Sequence, residues 1–131
     1  MKPFLNNATE IILLLFLIIT FLQSGIDKLV DWKGNLSWLK EHFSKSPLKN
    51  MVPLMLVIVL IMEMIATFLS IGGIYQILVF NKTQFAFYGA LISCFSLLML
   101  LFGQRMAKDY EGAKTIAIYF IPAMFLLFLL Q

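Results

Sequence analysis

The chain has 131 residues, 61% of them hydrophobic and 13% charged, against about 45–50% apolar and about 25% charged in an ordinary soluble domain. That balance excludes a soluble fold. The formal charge of +3 does not point to nucleic acid, because the basic residues sit in short connections between apolar runs, and a lone cysteine, Cys94, excludes an internal disulfide, a cysteine metal cluster and paired-thiol redox chemistry.

A hydrocarbon core about 30 Å thick takes about 20 helical residues, and four such segments can be marked off. The first span is expected at 8–29, around the apolar run from Ile11 to Leu22. It reads as a retained helix rather than a cleaved signal: only Lys2 is basic before the run, and Glu10 abuts it.

The connection from Val30 to Asn50 is the only long one. Within it Trp32, Leu36, Leu39 and Phe43 recur at helical spacing, while Lys33, Ser37, Lys40, Glu41 and Ser44 fall elsewhere. An amphipathic helix lying in the membrane interface is expected over 32–45, with Trp and Lys at the headgroup level; a partly ordered polar loop is the alternative. His42, the only histidine, reads as a solvated residue rather than a ligand.

The second span is expected at 51–71, opened by Pro47 and Pro53 and closed by Gly72 and Gly73. The third is expected at 85–102, after a polar turn from Asn81 to Gln84 and before Gly103. The fourth, 113–130, contains Pro122, which should kink it or free a carbonyl. The fold class is therefore all-α: a single membrane domain, 1–131, built as a four-helix bundle with an interfacial helix between its first two spans.

Eight of the ten basic residues fall at one face: Lys28, Lys33, Lys40, Lys45, Lys49, Arg105, Lys108 and Lys114. The positive-inside rule then puts both termini outside the cytoplasm.

Glu63 is the most informative residue. It stands near the middle of the second run, where a charged carboxylate costs about 2.5–3.5 kcal/mol, so it is either neutral or paired with a donor. Counting equal depth along antiparallel neighbours brings Thr20 and Gln23 of the first span, Ser93 and Ser96 of the third and Tyr119 of the fourth close to its level. Thr20, Ser24 and Asp27 share one face of the first helix, as Glu63, Thr67 and Ser70 share one face of the second. In lipid these groups should turn inward and form a polar seam. Its two readings are a binding or proton-handling site and simple hydrogen-bonded helix association. The eight methionines read as packing.

The stretch Phe21-Leu22-Gln23-Ser24-Gly25-Ile26-Asp27-Lys28-Leu29 resembles the F-x-x-x-G-x-x-K-L signature that closes the first helix of the DoxX family. Glu63 with Gly72 and Gly73 looks like that family's second-helix glutamate and glycine. The segment from Phe102 to Ala113 is similar to the one joining the last two helices in small DoxX-like proteins of Bacteroidota.

The resemblance implies a four-helix protein of the bacterial cytoplasmic membrane, usually an accessory subunit of a membrane oxidoreductase, with Phe21, Gly25, Lys28, Glu63 and Gly72 as its motif positions. It also implies a link to quinone, which takes up the electrons in the thiosulfate:quinone oxidoreductase that gave the family its name. No haem ligand pair, cysteine cluster or flavin fingerprint is present, so no intrinsic cofactor is expected, and a redox role would need a partner subunit or a bound quinone. The alternatives are a small proton-coupled multidrug-type transporter and a membrane assembly factor. Other membrane subunits or a second copy are the expected partners, beside the lipid itself.

Overall fold

The computed structural model describes residues 2–131, and among them there is no strand. The helices are α1 (Lys2–Asn6), α2 (Ala8–Val30), α3 (Trp32–His42), α4 (Val52–Phe80), α5 (Gln84–Met106) and α6 (Tyr110–Leu130), with a 3-10 turn, Lys49–Met51, leading into α4. Four of them, α2, α4, α5 and α6, are long and apolar enough to cross a membrane.

These four pack in a ring of contacts, α2 on α4, α4 on α5, α5 on α6 and, more sparsely, α6 on α2. The distribution of polarity is inverted relative to a water-soluble protein. Fully buried side chains include Glu63, Thr67, Ser70, Ser93 and Ser96, while Ile12, Ile19, Phe68, Ile121 and Phe128 stand exposed. Such an exterior is stable only against hydrocarbon.

Glycines do not end the helices as the sequence pattern predicts. α4 continues through Gly72 and Gly73 to Phe80 and stops at Asn81, whose left-handed φ of 54° forms the cap. The reason is packing: a Cβ on Gly73 would lie 2.7 Å from the backbone of Ala86, so this glycine lets α4 and α5 touch backbone to backbone. Gly89 repeats the device from the other side, where a Cβ would meet Ser70 Oγ at 2.9 Å.

Gly103 likewise lies inside α5, which runs on to Met106, and it is buried opposite Phe43 and Met55. The turn before α5 is accordingly short. Gln84 is already helical, and the Phe85 N–H donates to Gln76 Oε1 at 3.0 Å. α6 starts at Tyr110 rather than near Ala113, because Asp109 caps it by accepting from the Gly112 N–H at 2.9 Å. Pro122 is accommodated within α6.

α3 replaces the loop alternative. Asp31 caps it by accepting from the Gly34 N–H, and the expected apolar face is turned inward: Trp32, Leu36 and Leu39 are half-buried and Phe43 is buried. His42 is not a solvated residue. Its Nε2 lies 3.2 Å from Gln104 Oε1 and 3.3 Å from Asp109 Oδ2, with the ring stacked on Trp38. These contacts fasten the end of α3 to the α5–α6 turn, so both connections lie at one end of the molecule.

The two adjacent glycines of α4 give a controlled test of the packing. Gly73→Ala should destabilise the protein by about 1–3 kcal/mol, the scale of overpacking a tight contact, whereas Gly72→Ala, whose Cβ meets only Phe85 at 3.5 Å, should be close to neutral. Unfolding in mixed micelles measures both; equal effects would contradict the close α4–α5 approach.

Candidate functional site

α4 carries Glu63 fully buried, and α2 supplies its counter-charge. Lys28 Nζ sits 3.0 Å from Glu63 Oε1. The long apolar stem of lysine allows this reach: Lys28 leaves the backbone near the end of α2, and its ammonium extends to the buried carboxylate.

The ammonium is held from its own helix as well. Lys28 Nζ donates to Ser24 Oγ at 2.5 Å and contacts the Ser24 carbonyl at 3.4 Å. Toward Glu63 the contact is an ion pair without hydrogen-bond geometry, and Oε2 meets no donor from the described residues. One oxygen of the carboxylate therefore lies against an ammonium, and the other is buried without a donor among the described residues.

α2 and α4 come close enough for this because Gly25 faces α4. A Cβ there would run into the Met64 methyl, next in sequence to Glu63. A bulkier residue would have to displace the flexible end of Met64.

Glu63 also lines a cavity of about 320 Å³. Thr20, Gln23, Ser24 and Asp27 of α2 and Tyr119 of α6 share its wall, and Leu97 and Leu100 of α5 complete it. It lies along the sparser α2–α6 contact. Gln23, Asp27 and Tyr119 are exposed, so the cavity has a polar rim and a charged floor. Phe16 flanks the Tyr119 ring at 6.2 Å.

Of the residues that depth counting brings together, Thr20, Gln23, Glu63 and Tyr119 do share this cavity. Gln23 stands at its rim rather than in the interior. Ser93 and Ser96 are buried but do not line it. Ser93 Oγ instead donates to the Gly89 carbonyl at 2.7 Å, as Thr67 Oγ1 does to the Glu63 carbonyl at 2.8 Å, so both hydroxyls are satisfied within their own helices.

Ser70 Oγ and Ser96 Oγ meet no partner among the described residues. The expected continuous polar seam is thus two separate features, a cavity between α2, α4 and α6 and a hydroxyl-lined contact between α4 and α5. Gly72 belongs to the second and takes no part in the cavity.

Among the described residues no group of His, Cys, Asp and Glu side chains is assembled that would hold a metal ion. Lys28 is the functional residue that depth counting misses. The signal for it was its i+4 spacing from Ser24, which puts it on the face turned to Glu63. Comparison of the chain with family models, with characterised proteins and with solved structures finds no match.

Breaking a buried ion pair from one side leaves an uncompensated charge and costs about 3–5 kcal/mol, whereas replacing both partners by apolar groups is often neutral. Lys28→Met should therefore destabilise the protein strongly, and adding Glu63→Leu should recover at least half of the loss. A double-mutant cycle read by unfolding in mixed micelles measures the coupling; additive losses would show that the two charges do not interact.

Proposed function

We propose that this protein is a DoxX-like four-helix bundle of the bacterial cytoplasmic membrane, with α3 in the interface. In this proposal it acts as an accessory subunit of a membrane oxidoreductase, binding a quinone headgroup beside the Lys28–Glu63 pair. The observation that carries the proposal is the fully buried Glu63, paired with Lys28 and lining a cavity between α2, α4 and α6.

A bound quinone supplies electron-accepting chemistry that no side chain here provides. The protein's part is positioning. Tyr119 Oη–H and the Gln23 amide N–H are donors suited to a carbonyl oxygen, Leu97 and Leu100 form an apolar wall, and the Glu63 carboxyl beside them is a group able to carry a proton. A cavity of this size with a few convergent polar groups is typical of small-ligand sites.

The ion pair favours this function over a multidrug-type transporter, whose membrane carboxylate must be free to accept a cationic substrate. In this chain the carboxylate already has an ammonium against it. The proposed orientation, with both termini outside the cytoplasm, rests on the positive-inside rule applied to the two lysine-bearing connections, which the His42 contacts hold at one end.

Glu63→Gln keeps the shape of the side chain but cannot exchange a proton. Because Lys28 sits in the last turn of α2 and is partly exposed, its ammonium can turn outward when the carboxylate is lost. In native membranes the variant should therefore insert and co-purify in mild detergent with the same partner subunits, while quinone-dependent electron flow falls at least about tenfold, the lower range for loss of a proton-transferring group. Wild-type electron flow in the variant would overturn the proton-handling role; loss of co-purification alone would leave only a structural one.

A further inference from the structure

A second cavity, of about 230 Å³, lies beneath α3, and Lys28 lines it. Its body is apolar, formed by residues such as Leu56, Val59 and Met99, and the lining residues that carry polar groups in their side chains are Lys28, Asn35, Trp38 and Gln104. Lys28 therefore faces this cavity while Glu63 faces the one between α2 and α6, and the two charges touch at 3.0 Å. The ion pair, with Leu100 common to both walls, is the partition between two cavities.

We propose that the cavity beneath α3 binds an anionic amphiphile, its headgroup on Lys28 and its alkyl chain along the apolar wall, and that each anion is taken up together with one proton on Glu63. This is a different site from the quinone cavity and does not depend on the quinone proposal. Shape and charge select the ligand class: an apolar slot with one ammonium suits a single chain ending in an anion.

Electroneutrality supplies the coupling. The resting pair is neutral, and an added anion would leave one net negative charge in a low-dielectric interior, which is unfavourable. Protonation of Glu63 removes that charge and releases Lys28 to the anion. The groups facing Glu63 are Lys28 and Asp27 from α2 and Tyr119 from α6, with only leucines from α5. On the other side of the partition, α3 contributes Asn35 and Trp38, and Gln104 of α5 connects to His42 and through it to Asp109. His42 is thus the competing source of pH dependence.

Trp38 lines the cavity and serves as the reporter. The probe is a terminally brominated dodecyl sulfonate, anionic at every pH used, which quenches Trp38 fluorescence in a Trp32→Phe background in zwitterionic nanodiscs. Wild type should show saturable quenching whose affinity falls as pH rises, by at most about tenfold per unit, the slope for one linked proton. The matching brominated alcohol should give no saturable quenching.

Glu63→Gln should bind the sulfonate independently of pH and at least tenfold more tightly at pH 8.5, and His42→Gln should keep the wild-type slope. Gly103→Leu, where a Cβ has ordinary contact distance to Met55 and Phe43, should fill the cavity and abolish saturable quenching with helix content unchanged. Competition by laurate or by phosphatidylglycerol then separates a free fatty acid from a lipid headgroup as the natural source. Quenching by the alcohol as strong as by the sulfonate, a slope that survives Glu63→Gln, a slope lost in His42→Gln, or dependence on sodium instead of pH would each overturn the proposal.

Discussion

The structure is organised by one electrostatic constraint, a carboxylate held away from water near the middle of an apolar helix. Alone, Glu63 would cost about 2.5–3.5 kcal/mol at mid-membrane depth; the Lys28 ammonium 3.0 Å away offsets that cost. An attraction of this kind depends steeply on separation in a medium of low dielectric constant. It therefore fixes the register of α2 against α4, and Gly25 makes the required approach possible by leaving room for Met64. Ser24 anchors the ammonium from behind, so the lysine is directed inward instead of to the headgroups.

The contact between α4 and α5 is of a different kind. Gly73 against Ala86 and Gly89 against Ser70 bring the backbones together, where dispersion and small-residue packing replace the hydrophobic effect that lipid cannot supply. Two hydroxyls at this contact, those of Thr67 and Ser93, turn back onto their own helices. They consequently offer nothing to Glu63. The carboxylate is left with one partner, and each member of the pair lines a different cavity, an arrangement that in our proposal couples the protonation of Glu63 to whatever engages Lys28.

The four long helices were legible because a bilayer imposes length and apolarity on any segment that crosses it, and those two quantities are written in composition. The spacing of Trp32, Leu36, Leu39 and Phe43 was equally informative, since a helix with one covered face must repeat at that period. Glycine was the misleading residue. Gly72, Gly73 and Gly103 read as helix ends, but a glycine can equally mark a place where another chain segment comes close, and only the packed neighbour tells the two apart. Lys28 was missed as the partner of Glu63 because depth was counted at the Cα, whereas the charge of a lysine sits at the end of a four-carbon stem. Ser93 and Ser96 were over-read for a related reason: depth along a helix says nothing of azimuth. His42 was missed because its partners, Gln104 and Asp109, are distant in sequence and meet it only when the two connections share an end.

The direct test of this account is the distance between the two charges in lipid. Dipolar recoupling solid-state NMR on bilayer-embedded protein, with 15N at lysine Nζ and 13C at glutamate Cδ, isolates the pair as the dephasing that disappears in Glu63→Gln. A dephasing curve matching direct contact, as the 3.0 Å Nζ–Oε1 separation requires, is the predicted result. No difference between wild type and variant would place the ammonium away from the carboxylate and contradict the account at its centre.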